Sequence, residues 1–166
     1  ESENPYGIKA AATKEGMEDP AKISYKDFLW ETDHGRADTR LKYNFDFAKG
    51  VMKFRDDVLV SGTVWSPPHW MKESAPKGPG KKFHWSKFGS ASCGGRLNPL
   101  YYQHYAHYLA EYIKGIKEVH GIDLYAISPQ NELLFYEPYD SCVYTPEEYA
   151  DLLVVIAEVF EEEEIK

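Results

Sequence analysis

An Asn–Glu pair, Asn131–Glu132, stands just past the apolar run Ile122 to Ile127 and the break at Pro129. A carboxylate can give a proton to a departing oxygen and then draw one from water. An amide beside it can orient a sugar hydroxyl, so the pair suits general acid/base work on a glycosidic bond. Taken alone, the dipeptide reads equally as an ordinary polar turn. A second segment, Val64-Trp65-Ser66-Pro67-Pro68-His69-Trp70-Met71-Lys72, follows another apolar run, Val58 to Thr63. Its two prolines lock φ and remove donors, so the chain leaves the run in a stiff turn that fixes both tryptophans.

Alternating strands and helices must hold these residues. The patterning predicts strands over about 21–28, 58–64 and 122–128, and helices over about 45–55, 99–119 and 146–162. Asn98 is a helix N-cap with Pro99 at N1, where a missing N–H costs nothing. Tyr102, Tyr105, Leu109, Ile113 and Ile116 then share one face. Thr145-Pro146-Glu147-Glu148 is a capping box, with Tyr149, Leu152, Leu153, Ile156 and Phe160 as the apolar stripe behind it. Strands separated by helices call for parallel crossovers. The expected class is α/β, part of a (β/α)8 TIM barrel. Polar residues at the C-terminal strand ends are how such barrels expose catalytic groups. Three parallel strands cannot close on themselves, and 166 residues fall short of the roughly 250 of a typical barrel. Residues 1–166 therefore read as one partial barrel segment, with the remaining strands on another chain or missing.

Composition narrows the function classes. With 43% hydrophobic and 28% charged residues the chain reads as a soluble globular segment. A net charge of −8 argues against nucleic acid, because phosphates need basic patches. No apolar run approaches the roughly 20 residues of a membrane span. Aromatics at 15% suit carbohydrate, whose rings rest on flat aromatic faces. His104 and His107 lie three apart with no third ligand at matching spacing, so no metal site is expected, and no cofactor motif occurs. The run Glu161 to Glu164 reads as a solvated helix end.

The motifs Trp-Ser-Pro-Pro-x-Trp-Met-Lys (residues 65–72) and Tyr-Ala-Ile-Ser-Pro-Gln-Asn-Glu (residues 125–132) resemble glycoside hydrolase family 30. These are retaining β-glycosidases built on a (β/α)8 barrel. The resemblance is close over residues 59–149 and weak before Lys22. It implies that Glu132 is the acid/base at the end of the fourth strand and that Asn131 bonds the hydroxyl next to the reacting carbon. It implies that Trp65 flanks the sugar and that Trp70 supports the loop. Tyr136 and Tyr139 would line the cleft. For the tryptophans and tyrosines, plain packing is the alternative. The family's nucleophile ends its seventh strand, and nothing here corresponds to it. Leu133 stands where proline commonly follows the glutamate, and His69 where a small residue is usual. The loop after Lys72, with Phe83, His84, Trp85 and Phe88, also looks longer.

Cys93 and Cys142 each precede a helix N-terminus at the same level of adjacent units, which would allow a disulfide between two loops. Two unrelated free thiols are the alternative. A bridge would favour an extracellular location. No signal peptide is visible, and a mature secreted chain would not carry one. The expected function is retaining β-glycoside hydrolysis on a polysaccharide or glycoconjugate, active only when a second polypeptide or missing segment completes the barrel. The rival is a non-catalytic carbohydrate-binding or structural half-barrel.

Overall fold

A computed structural model describes residues 13–28, 30, 40–73, 94–135 and 141–166. Four helices are present among them: α1 (Lys14–Glu18), α2 (Arg40–Met52), α3 (Tyr102–His120) and α4 (Pro146–Glu162). The strands are β1 (Val60–Thr63), β2 (Lys72–Glu73), β3 (Arg96–Leu97) and β4 (Leu124–Ser128). β1 and β4 pair in parallel, matching Ser61 with Ala126, Gly62 with Ile127 and Thr63 with Ser128. The chain crosses between them through α3, as parallel neighbours require. The described residues form an α/β arrangement without a closed barrel.

Residues 21–28 differ from expectation. They form two 3₁₀ turns, Pro20–Lys22 and Tyr25–Asp27, instead of a strand. Local capping explains this. The Asp19 side chain accepts from Ala21 N and the Ser24 side chain from Lys26 N, and Pro20 presets the first turn. Gly16 lies inside α1 and is buried there. The antiparallel pair β2–β3, only two residues long, had no periodic signal to announce it.

α3 starts where Asn98 accepts a bond from Leu100 N, passes through the turn Pro99–Tyr101, and ends at Gly121 with φ +68°. That left-handed cap suits glycine. α4 begins on the complete Thr145–Glu148 capping box. Tyr105, Ala106, Leu109 and Ala110 of α3 join Leu152, Ile156 and Val159 of α4 in the main core, together with Met71, Leu97 and Cys142. Two alanines keep that helix face low. Burying Leu109 alone is worth about 1.5–3 kcal/mol. Leu153, assigned to this stripe from spacing, is instead exposed, and Val159 takes its place.

An aromatic stack along α3 extends the same core. Tyr105, Tyr108 and Tyr112 follow one another at 5.9 and 6.4 Å between ring centres. Phe28 lies 5.3 Å from Tyr108, and Trp30 lies 5.9 Å from Tyr112. The N-terminal segment is tied to the same helix by Tyr25 N donating to Glu111 Oε2 at 2.8 Å. Trp30 sits so close that a Cβ on Gly115 would meet its ring at 2.0 Å. Phe45, Ile116 and Ile122 make a second, smaller cluster beneath β1 and β4.

The two faces of the β1–β4 pair are unlike. Val60, Leu124 and Ile127 pack onto the helix side. Ser61, Thr63 and Ala126 on the other side are exposed, and Leu59 and Tyr125 are each 68% exposed.

Candidate functional site

Pairing continues past the last ladder residues. Val64 N donates to Ser128 O at 3.0 Å, and Asn131 N donates to Val64 O at 2.7 Å. These two bonds bring the segment carrying Trp65 beside the segment carrying Asn131 and Glu132, at the C-terminal end of both strands. Glu132 is exposed and holds φ +42°, the left-handed region where a residue with a Cβ costs about 1–3 kcal/mol. Its carbonyl accepts from Phe135 N at 3.1 Å, which closes a tight turn. Tyr144 N donates to Leu133 O at 3.0 Å and anchors that turn to the approach of α4. Glu132, Leu133, Leu134 and Phe135 line an open depression of about 440 Å³. A carboxylate on a rigid turn over an apolar hollow can hand a proton to a group resting there.

Trp65 is 47% exposed beside this end of the sheet. Pro67 and Pro68 behind it are fully buried, so the turn is pinned by packing as well as by φ. Lys72 Nζ donates to Ser66 Oγ at 2.9 Å and to Ser141 O at 2.8 Å, and Gly94 N donates to Ser141 Oγ at 2.8 Å. Lys72 thus links the tryptophan loop to the segment entering α4, and Ser141 in turn holds the segment entering β3. Trp70 faces elsewhere. It is half-buried, set edge-on to Tyr101 at 5.2 Å and to His104 at 5.9 Å, and its buried indole N–H has no partner among the described residues.

Gln130 belongs to the motif of residues 125–132, which gave it no role. It is buried, with Nε2 donating to Trp65 O at 2.7 Å and to Asn131 O at 2.8 Å, while Oε1 has no partner among the described residues. A buried unpaired acceptor costs about 1–3 kcal/mol. Its position directly before the Asn–Glu pair was the one available signal.

Tyr136, Tyr139 and Cys93 lie outside the described residues, as do the side chain of His69 and the loop residues Phe83, His84, Trp85 and Phe88. Cys142 is a free, fully buried thiol within the main core, and Cys93, its anticipated partner, lies outside the described residues. Burial raises the pKa of this thiol, with Lys72 opposing. His104 is likewise drawn into packing, its pKa lowered mainly by burial. Among the described residues no group of three or more His, Cys, Asp or Glu could hold a metal ion. No described helix is long and apolar enough to cross a membrane. Glu163, read as solvated, instead bonds Lys114 at 2.6 Å and lies 3.4 Å from His107.

No family model matches the sequence, and no curated protein matches it. Solved structures do match. The endo-beta1,6-glucanase BT3312 superposes with a TM-score of 0.64 at 25% identity, over 84% of this chain and 28% of that one. The glycoside hydrolase family 30 subfamily 8 xylanase Xyn30A of Clostridium acetobutylicum matches with a TM-score of 0.53 at 27% identity, over 78% of this chain and 31% of that one. The chain has a glycoside hydrolase family 30-like fold. SrfJ of Salmonella typhimurium shares this fold, with a TM-score of 0.61 at 20% identity over 83% of this chain. The chain spans less than a third of each of these structures, 28–31% of their length.

Proposed function

We propose that this chain carries the acid/base half of a retaining β-glycoside hydrolase site. Glu132 gives its proton to the departing glycosidic oxygen, then takes one from water in the second step. Asn131 bonds the neighbouring sugar hydroxyl, and Trp65 offers its face to the ring. The observation that carries the reading is the joining of the two strand ends, with Asn131 N bound to Val64 O at 2.7 Å. That bond sets Trp65 and Glu132 on neighbouring β/α units at the same level. The likeness to an endo-beta1,6-glucanase and a xylanase points to O-glycosidic bonds in a polysaccharide.

A retaining mechanism needs a second carboxylate about 5–5.5 Å from the first. In this reading the nucleophile comes from further polypeptide, docked beside the face of β1 and β4 on which Leu59 and Tyr125 are exposed. Without that carboxylate the chain would be a sugar-binding half-barrel.

The test is Glu132→Gln in the active assembly. Turnover of glycosides with poor leaving groups should fall by about 10²–10⁴, the usual worth of general acid catalysis. Activated aryl glycosides should lose less in the first step, and azide should restore part of the second. Equal loss on both substrate types without azide rescue would sink the acid/base assignment.

A further inference from the structure

We propose that Gln130 is a positioning residue that locks the end of β1, with Trp65, to the Asn131–Glu132 pair. The proposal rests on the acid/base reading of Glu132. Gln130 is 4% exposed, yet its side chain spends both amide hydrogens on main-chain carbonyls, Trp65 O at 2.7 Å and Asn131 O at 2.8 Å. Two carbonyl oxygens can be served only by the NH₂ end, so the amide's orientation is dictated by its partners. No hydrophobic side chain of this size could replace it, and neither could a carboxylate.

The position of these bonds gives them their consequence. Asn131 N already holds Val64 O. The Gln130 side chain adds the next carbonyl along, that of Trp65, so two successive residues of one strand end are fixed to the other. One bond would leave a hinge, whereas two bonds one residue apart set direction as well as distance. From the helix side Tyr105, fully buried in α3, donates its hydroxyl to Pro129 O at 2.5 Å, and Ser128 Oγ donates to Gln130 O at 3.0 Å. Residues 129, 130 and 131 are therefore each held. Glu132 follows as the first residue after them and takes up the left-handed φ of +42°. Gln130 acts only through two backbone carbonyls, so its effect is on where Trp65 and Glu132 sit relative to one another.

The experiment uses Gln130→Leu, which removes the donors, and Gln130→Glu, which keeps the volume and sets a carboxylate against two carbonyls. The second variant serves if the first does not fold. Hydrogen exchange on the whole chain should show the Asn131 amide opening at least about tenfold faster, with the Ile116 amide in α3 unchanged. On an aryl β-glycoside, in the form that hydrolyses it, kcat should fall by about 10- to 100-fold while KM moves less than about threefold, as expected of misplacement. A protected Asn131 amide in both variants overturns the proposal. So does an unchanged kcat with a loosened amide. If the wild type hydrolyses no glycoside and the amide still loosens, the tether stands and the glycosidase reading alone fails.

Discussion

On the helix side of the β1–β4 pair, Tyr105, Leu109, Leu152 and Val159 are covered from all directions, whereas on the other side Leu59, Tyr125, Leu134 and Phe135 meet solvent. Parallel sheets are ordinarily covered on both faces. The contrast separates two jobs within one chain. The α3–α4 layer supplies cohesion, and the open end of the sheet supplies groups that act on something else. Left-handed backbone occurs in both regions, at Glu132 at the open end and at Glu164 just past α4, and Tyr105 of the helix layer bonds Pro129 O close before Glu132.

Substitutions can break that division. The largest stability effect belongs to the helix layer, where Leu109→Ala should cost about 2–5 kcal/mol in denaturant unfolding because a packed site collapses only partly. A loss below 1 kcal/mol would mean that the layer is looser than its burial indicates. Next comes Gly115→Ala, whose new methyl would meet the Trp30 ring at 2.0 Å. Overpacking there should cost about 1–3 kcal/mol and shift tryptophan fluorescence as the N-terminal segment lifts.

A smaller effect comes from Glu163. Bonding to Lys114 holds its pKa below the ordinary 4.5, with burial opposing. Because the folded value is depressed, its contribution is complete above the ordinary pKa and is lost as pH falls through the folded one. Glu163→Gln should therefore destabilise by about 0.5–1 kcal/mol at pH 7 and hardly at all once the pH has fallen below the folded pKa. A pH-independent difference would rule the ion pair out as its cause. The smallest effect should appear on the open side. Leu134, 81% exposed, replaced by Ser should change the stability of the chain alone by no more than about 0.5 kcal/mol. If the same change instead weakens a completed assembly, the open side is an interface.

Much of this was legible in the sequence where the signal is local. The Thr145–Glu148 capping box and the Asn98–Pro99 start depend on residues within four positions of each other, and both appear as read. The parallel strands around α3 followed from apolar runs bounded by prolines and from a helix long enough to cross between them. Residues 21–28 misled because their apolar spacing resembled a strand while Asp19 and Ser24 captured the backbone into 3₁₀ turns.

The sequence by itself determined the residue types at the strand ends: a carboxylate beside an amide, a tryptophan before two prolines, and helices able to carry them. Only the tertiary structure decided what those residues do to one another. That Gln130 reaches across to Trp65, that Lys72 reaches Ser141, that Cys142 is buried in the core and that Glu163 finds Lys114 are contacts between residues 49 to 69 positions apart, or burial within the main core. Such contacts leave no periodic trace. They arise when α3 and α4 pack and bring distant segments within reach, and no spacing along the chain encodes a distance that packing sets.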